Sequence, residues 1–231
     1  MRCWKPCRGI LLRLGVNILS ESAALFPLFL KLEGKRCLVV GAGLIGLEKV
    51  ESLLRCGAFI RVVAPHAVAR VHELSAQGQI SWLARPYEPA DVLGCDLVIA
   101  ATNDRDVNRS VFEEATSHRI LCNTADDPPL CDFFFASVVQ RGDLQIAIST
   151  AGQSPALAQR LRREIDAQLP ADLGPWLAEL GQLRREVLQA MPAGAARKAL
   201  LHELAHREVC SLPACPARSF AGAEIKHEVP Q

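Results

Sequence analysis

The stretch VVGAGLIG, residues 39–46, limits the fold of this chain more than any other. It sets Gly41, Gly43 and Gly46 in GxGxxG register, directly after the apolar run KRCLVV (35–40) and directly before a segment with helical spacing of Leu47, Val50, Leu53 and Leu54. Strand, glycine turn and helix in that order form the context in which this pattern binds a dinucleotide. Gly41 permits a tight turn, Gly43 lets the backbone approach a pyrophosphate, and Gly46 allows close helix–strand packing, with the phosphates at the helix N-terminus.

The surrounding pattern agrees. Strands are predicted at 35–40, 59–64, 80–85, 95–102 and 119–124, with helices after Gly43, at 67–78 and at 106–118. Strands alternating with helices of about a dozen residues imply βαβ units and a parallel sheet. The near-continuous apolar strands fit a sheet covered on both faces. After Asp126 the pattern changes to two strands around Gly142, a hairpin, and from Pro155 to Val209 the chain reads as helical, with breaks at Pro170, Gly174-Pro175 and Pro192–Gly194. The fold class is therefore α/β. A Rossmann-type sheet over 25–135 is followed by a hairpin-containing region over 136–170 and a small helical domain over 171–210. A disordered extension (1–24) and a loose tail (211–231) flank these.

Composition narrows the functions. The 231 residues carry a formal net charge of +1, so no long-range field favours nucleic acid or an anionic membrane. No uncharged apolar run is long enough to span a bilayer. The nine cysteines are scattered without a CxxC pair, which points to a reducing cytoplasm rather than a disulfide framework.

The acidic residue expected after the second strand, where it would hold an adenosine ribose, is missing; Pro65 and His66 stand there instead. NAD is the default cofactor, with a soft preference over NADP. Proton donors are few. The single tyrosine is Tyr87, so a Tyr-x-x-x-Lys dyad is absent. Candidates lie where strands of such a sheet end: Thr102 and Asn103 after the fourth, and Asn123, Asp126, Asp127 and Asp132 after the fifth. Before proline, Asp126 and Asp127 are equally readable as turn formers. Ser154 followed by Pro155 is a helix cap, and the loop 149–152 feeds that helix's N-terminus, with Arg160 and Arg163 further along. This is either a capped surface helix or a seat for a polyanion.

These stretches together resemble the precorrin-2 dehydrogenase / sirohydrochlorin ferrochelatase family, which includes the N-terminal module of siroheme synthase. The likeness rests on FPLFLKLEGKRCLVVGAGLIGLEKVESLLRCGA, VVAP, DLVIAATND…VN, CNTADDP, SVVQRGDLQIAIST-GQSPALAQRLR and LPADLGPWLAELGQLR, most of residues 26–187. That family also lacks the acidic residue after strand two. The resemblance implies a homodimer that oxidises precorrin-2 to sirohydrochlorin with NAD+, many members also inserting Fe2+ to give siroheme. It puts the family's essential aspartate on Asp126, its glycine-loop contacts on Gly43, Leu44 and Ile45, and its strand-two contacts on Pro65 and His66. The loop serine that is phosphorylated in some members is Thr150 here. Asn123, Thr150, Ser154, Arg160 and Arg163 are the residues expected at the substrate. The methyltransferase module of full siroheme synthases does not follow, which implies a stand-alone form.

Two rival readings remain. A sensor that binds NAD without catalysis would need the glycine turn but not Asp126. His202-Glu203-Leu204-Ala205-His206 spells the HExxH pattern of zinc hydrolases, with the histidines at i and i+4 on one helix face, so that two-point zinc binding is geometrically possible. No glycine or third histidine extends the pattern, and Leu200, Leu201, Leu204 and Ala205 read as the apolar stripe of a helix, so no metal site is expected.

Overall fold

A computed structural model describes residues 24–206 of the chain. The expected extension (all but its last residue), the expected tail, Cys3, Cys7, Cys210 and Cys215 lie outside the described residues. Five parallel strands, β1 (Arg36–Ala42), β2 (Phe59–Ala67), β3 (Ser81–Leu83), β4 (Leu97–Ala100) and β5 (Leu121–Thr124), form one sheet in the order β3-β2-β1-β4-β5. The order reverses between β1 and β4, which opens a crevice at their carboxyl ends.

Both faces of the sheet are covered. Helix α1 (Leu44–Arg55) buries Gly46, Val50 and Leu53, and α2 (Ala69–Ala76) buries Val71 and Leu74. They pack with Cys37, Val39, Val62 and Ile99 on one face. Helix α3 (Arg105–Ser117) buries Val111 and Ala115 against Leu38, Val40, Val63 and Val98 on the other. Successive β1 residues thus face opposite layers, as the two-residue period of a strand requires. The N-cap of α3, Asp104, accepts hydrogen bonds from the Asp106 and Val107 amides at 2.9 and 3.2 Å.

Strand lengths depart from expectation for local reasons. β2 continues through Pro65 to Ala67 because its pairing with β1 is interrupted between Val40 and Ala42, so the missing proline N–H breaks no ladder bond. β3 stops at Leu83. The chain then turns outward, and Arg85 forms a two-pronged ion pair with Asp91 at 2.9 and 2.6 Å. Asp91 sits in a short 3-10 turn, Pro89–Val92, that sequence patterning does not reveal.

Beyond the sheet, β6 (Ser137–Arg141) and β7 (Leu144–Ile148) form the expected antiparallel hairpin around Gly142, whose φ is +58°. Helix α4 (Pro155–Gln168) packs on β6, and α5 (Leu173–Ala190) and α6 (Ala195–Leu204) follow. The break expected at Gly174-Pro175 does not occur. Both residues sit in the first turn of α5, where a proline's missing donor leaves no bond unmade. The hairpin turn presses backbone to backbone on this turn: a Cβ on Gly174 would stand 3.0 Å from the Gly142 nitrogen.

Helix α6 ends at Leu204, so His206 lies past it and the two histidines do not share a helical face. Among the described residues no group of three or more His, Cys, Asp or Glu is arranged to hold a metal ion. No helix among them is long and apolar enough to cross a membrane.

Candidate active site

The crevice at the carboxyl ends of β1, β4 and β5 is built around the glycine turn. Gly41 has φ +105°, and a Cβ there would overlap the Ala101 carbonyl. A Cβ on Gly46 would overlap the Gly41 carbonyl, so these two glycines are required by the chain itself. Gly43 differs: its φ is −78° and a Cβ would meet nothing within 4 Å. The space kept free beside it is open to a ligand.

Helix α1 begins immediately after Gly43. Its first intrahelical bond runs from the Leu47 amide to the Gly43 carbonyl at 2.9 Å, and no side chain caps the amides that precede it. Those free amides, with the positive end of the helix dipole, suit an anion such as a pyrophosphate. Leu44 is 78% exposed, an unusual situation for leucine at a helix start, and with Ile45 it offers an apolar cover. The arrangement fits a dinucleotide cradle.

A cavity of about 560 Å³ spans this turn and the loops after β4 and β5; Gly43, Leu44, Ile45, Thr102, Asn103 and Asp126 line it. Thr102 is held in place by Asn108, a buried residue on α3. The Thr102 hydroxyl donates to the Asn108 side-chain oxygen at 2.7 Å, and the Asn108 amide donates back to the Thr102 carbonyl at 3.0 Å. Pro65 and His66 lie just before the end of β2, where Ala67 pairs with Ala42, and do not line this cavity.

Asp126 stands at the tip of the β5 loop with φ +60°, a left-handed conformation that Asp tolerates better than most residues. The loop returns onto its own strand. The Asp132 carboxylate accepts from the Cys122 amide at 2.9 Å, the Asn123 side chain donates to the Phe133 carbonyl at 2.8 Å, and the Cys131 thiol donates to the Thr124 carbonyl at 3.1 Å. Asp132 and Asn123 therefore brace the loop that carries Asp126. Asn123, only 6% exposed, commits its side-chain NH2 to this bracing and also lines a second cavity, on the hairpin side.

A second cavity of about 520 Å³ lies on the other side of Asp126, toward the hairpin and α4. Ile45, Ala125, Asp126 and Asp127 line both cavities. Thr150, Phe134, Phe135 and Lys49 line the second. Of the other residues expected at a substrate, Ser154 caps α4, its hydroxyl accepting from the Leu157 amide at 3.2 Å. Arg160 pairs with Glu164 on the same helix at 3.0 Å and is exposed, and Arg163 is exposed as well. None of these three lines the cavity, so the anion seat expected from spacing is not assembled by α4 within one chain. Tyr87 is no proton donor to the crevice: it packs against the core beneath α3, and burial pushes its pKa up to about 12.

Comparison with known proteins adds to this geometry. A family model described as NAD(P)-binding matches residues 28–137, and one described as the sirohaem biosynthesis protein central region matches residues 141–168. Siroheme synthase 1 of Serratia proteamaculans (strain 568) is 42% identical over 172 residues, 74% of this chain and 36% of that protein. Siroheme synthase 1 of Pectobacterium atrosepticum (strain SCRI 1043) is 36% identical over 206 residues, covering 88% of this chain and 42% of that protein. The chain thus spans well under half the length of the curated relatives it matches. A solved structure, SirC, precorrin-2 dehydrogenase, superposes with a TM-score of 0.68 at 28% identity, covering 79% of this chain and 90% of that one.

Proposed function

We propose that this chain, which belongs to the family of siroheme synthases and precorrin-2 dehydrogenases, oxidises precorrin-2 to sirohydrochlorin with NAD+ as hydride acceptor. One observation carries the reading. Asp126 is on the wall shared by the glycine-turn cavity and the hairpin cavity, so one carboxylate borders both places where the two reactants would meet.

The dinucleotide, when bound, supplies a nicotinamide ring that accepts a hydride. The chain's own residues do the rest. Gly43 and the free amides that open α1 hold the pyrophosphate, and Leu44 and Ile45 shield the crevice from water. Thr102, fixed by Asn108, and Asn103 would contact the bound dinucleotide from the cavity wall, and Pro65 and His66 would contact it from the end region of β2. Asp126 accepts the proton that the tetrapyrrole loses as its conjugation extends, so that hydride and proton together balance the oxidation. This is the work of a positioned general base. Thr150 contributes a hydroxyl to a substrate carboxylate.

Iron insertion is part of the same proposal. Fe2+ is then a substrate, bound by the pyrrole nitrogens, and Asp126 accepts the two displaced N–H protons one at a time, passing each to solvent. We also propose that the chain acts as a homodimer in the cytoplasm. Support for the first comes from the apolar side chains exposed around the hairpin, including Phe134, Phe135, Val138 and Leu157. Support for the second comes from the five free cysteines among the described residues.

The test is direct. Purified protein is mixed with precorrin-2 and NAD+ and followed by absorbance; Fe2+ is then added. Appearance of sirohydrochlorin is expected, and siroheme after iron. No NAD+-dependent change in the tetrapyrrole spectrum would overturn the assignment, whereas sirohydrochlorin without siroheme would remove only the insertion step.

A further inference from the structure

We propose that Lys49 is the cation that receives a carboxylate of the tetrapyrrole and sets the enzyme's preference for polycarboxylate substrates. The inference rests on the reaction proposed above. The hairpin cavity holds three carboxylates in its described walls, Glu48, Asp126 and Asp127, and Lys49 is the only cation there. A polyanionic substrate entering such a cavity meets like charge on every acidic wall and is admitted only where an opposite charge is fixed. The arginines of α4 do not provide it, since Arg160 and Arg163 lie outside the lining.

Lys49 is also held ready. Its side chain is 15% exposed, and Nζ lies 3.1 Å from the Glu48 carboxylate. The same ammonium sits over the Phe135 ring, 4.2 Å from its centroid. An ammonium has three N–H donors. One is directed to Glu48 and one approaches the ring face, which leaves one for a ligand in the cavity. A cation restrained on two sides loses little freedom when it binds, which is what preorganisation requires. Glu48 and Phe135 are positioning residues in this account. The position, one helical turn beyond the glycine loop, ties the substrate contact to the same helix whose first turn holds the cofactor.

The experiment compares wild type, Lys49→Met and Lys49→Arg, each with NAD+, in steady-state oxidation of precorrin-2 and in fluorescence titration with sirohydrochlorin. Lys49→Met is expected to raise KM and the sirohydrochlorin Kd about tenfold or more, with kcat within about threefold and NAD+ affinity unchanged. The salt dependence of KM becomes shallower in that variant. Lys49→Arg, which keeps the charge, recovers most of the loss. A purely structural bridge between α1 and Phe135 would instead lower Tm and leave the salt dependence intact; that result, or an unchanged KM and Kd in Lys49→Met, overturns the proposal. If the wild type oxidises no precorrin-2 yet binds sirohydrochlorin in a Lys49-dependent way, the reaction assignment fails while the carboxylate contact stands.

Discussion

The three glycines of the cofactor turn do different jobs, and substitution separates them. Ala at position 46 usually favours a helix by about 1 kcal/mol over Gly. Here its Cβ would overlap the Gly41 carbonyl, so Gly46→Ala is expected to destabilise the protein by about 1–3 kcal/mol, read as a lower Tm. Gly43→Ala meets no atom of the chain and should leave Tm unchanged, while NAD+ affinity falls about tenfold or more, measured by titration calorimetry. Asp126→Asn should keep NAD+ affinity and lower kcat by about 10²–10⁴-fold, the range for loss of a general base. A variant with full turnover would remove Asp126 from the reaction and favour a cofactor-binding sensor instead.

At the scale of elements, the turn after β3 depends on one ion pair. The side chain of Asp91 is 5% exposed and that of Arg85 36%. The hydrogen bonds from the Arg85 guanidinium, aided by the Glu88 amide, hold the Asp91 carboxyl below the ordinary carboxylate range. A depressed pKa of this kind contributes stability that is fully present above about pH 4 and is lost as pH falls toward the depressed value. Asp91→Asn is therefore expected to cost about 2 kcal/mol at neutral pH, less than a fully buried pair because Arg85 remains partly hydrated. The gap from wild type in urea denaturation should narrow below about pH 4; a gap independent of pH would show that packing, not charge, holds the turn. The sheet itself was legible in the sequence, because its strands are short apolar runs with covered faces. The ends of β2 and β3 were not, since a bulge and an ion pair with residue 91 set them. Nor was the continuity of α5, which places Gly174 under the turn at Gly142 through a contact between distant segments. In the crevice, the glycine turn could be found from local pattern, whereas spacing left Asp126 equally readable as a turn former and only the family resemblance singled it out. Asn108 and Asp132 act through hydrogen bonds to Thr102 and Cys122, six and ten residues away in neighbouring elements, and Lys49 through the distant Phe135 ring; spacing alone does not announce such contacts. Arg160 and Arg163 drew notice because they follow a capped helix start, but neither lines the cavity within one chain.

For the molecule as a whole, an isolated two-stranded hairpin is marginal in water. β6 and β7 gain support from α4 and α5, yet Val138 on the hairpin remains 42% exposed and Leu157 on α4 41% exposed. A second copy covering this face would remove apolar surface from water. Sedimentation at micromolar concentration should report a dimer, and Val138→Glu should shift it to a monomer with lower Tm. A monomeric wild type would show that the hairpin face is tolerated in solvent. The backbone contact between Gly142 and Gly174 has a consequence for this architecture. Two surfaces without side chains cannot slide past one another by swapping rotamers, so hairpin and helical region tilt together or not at all. A disturbance far out on the last helices would thus travel, as through a rigid lever, to the hairpin wall of the second cavity.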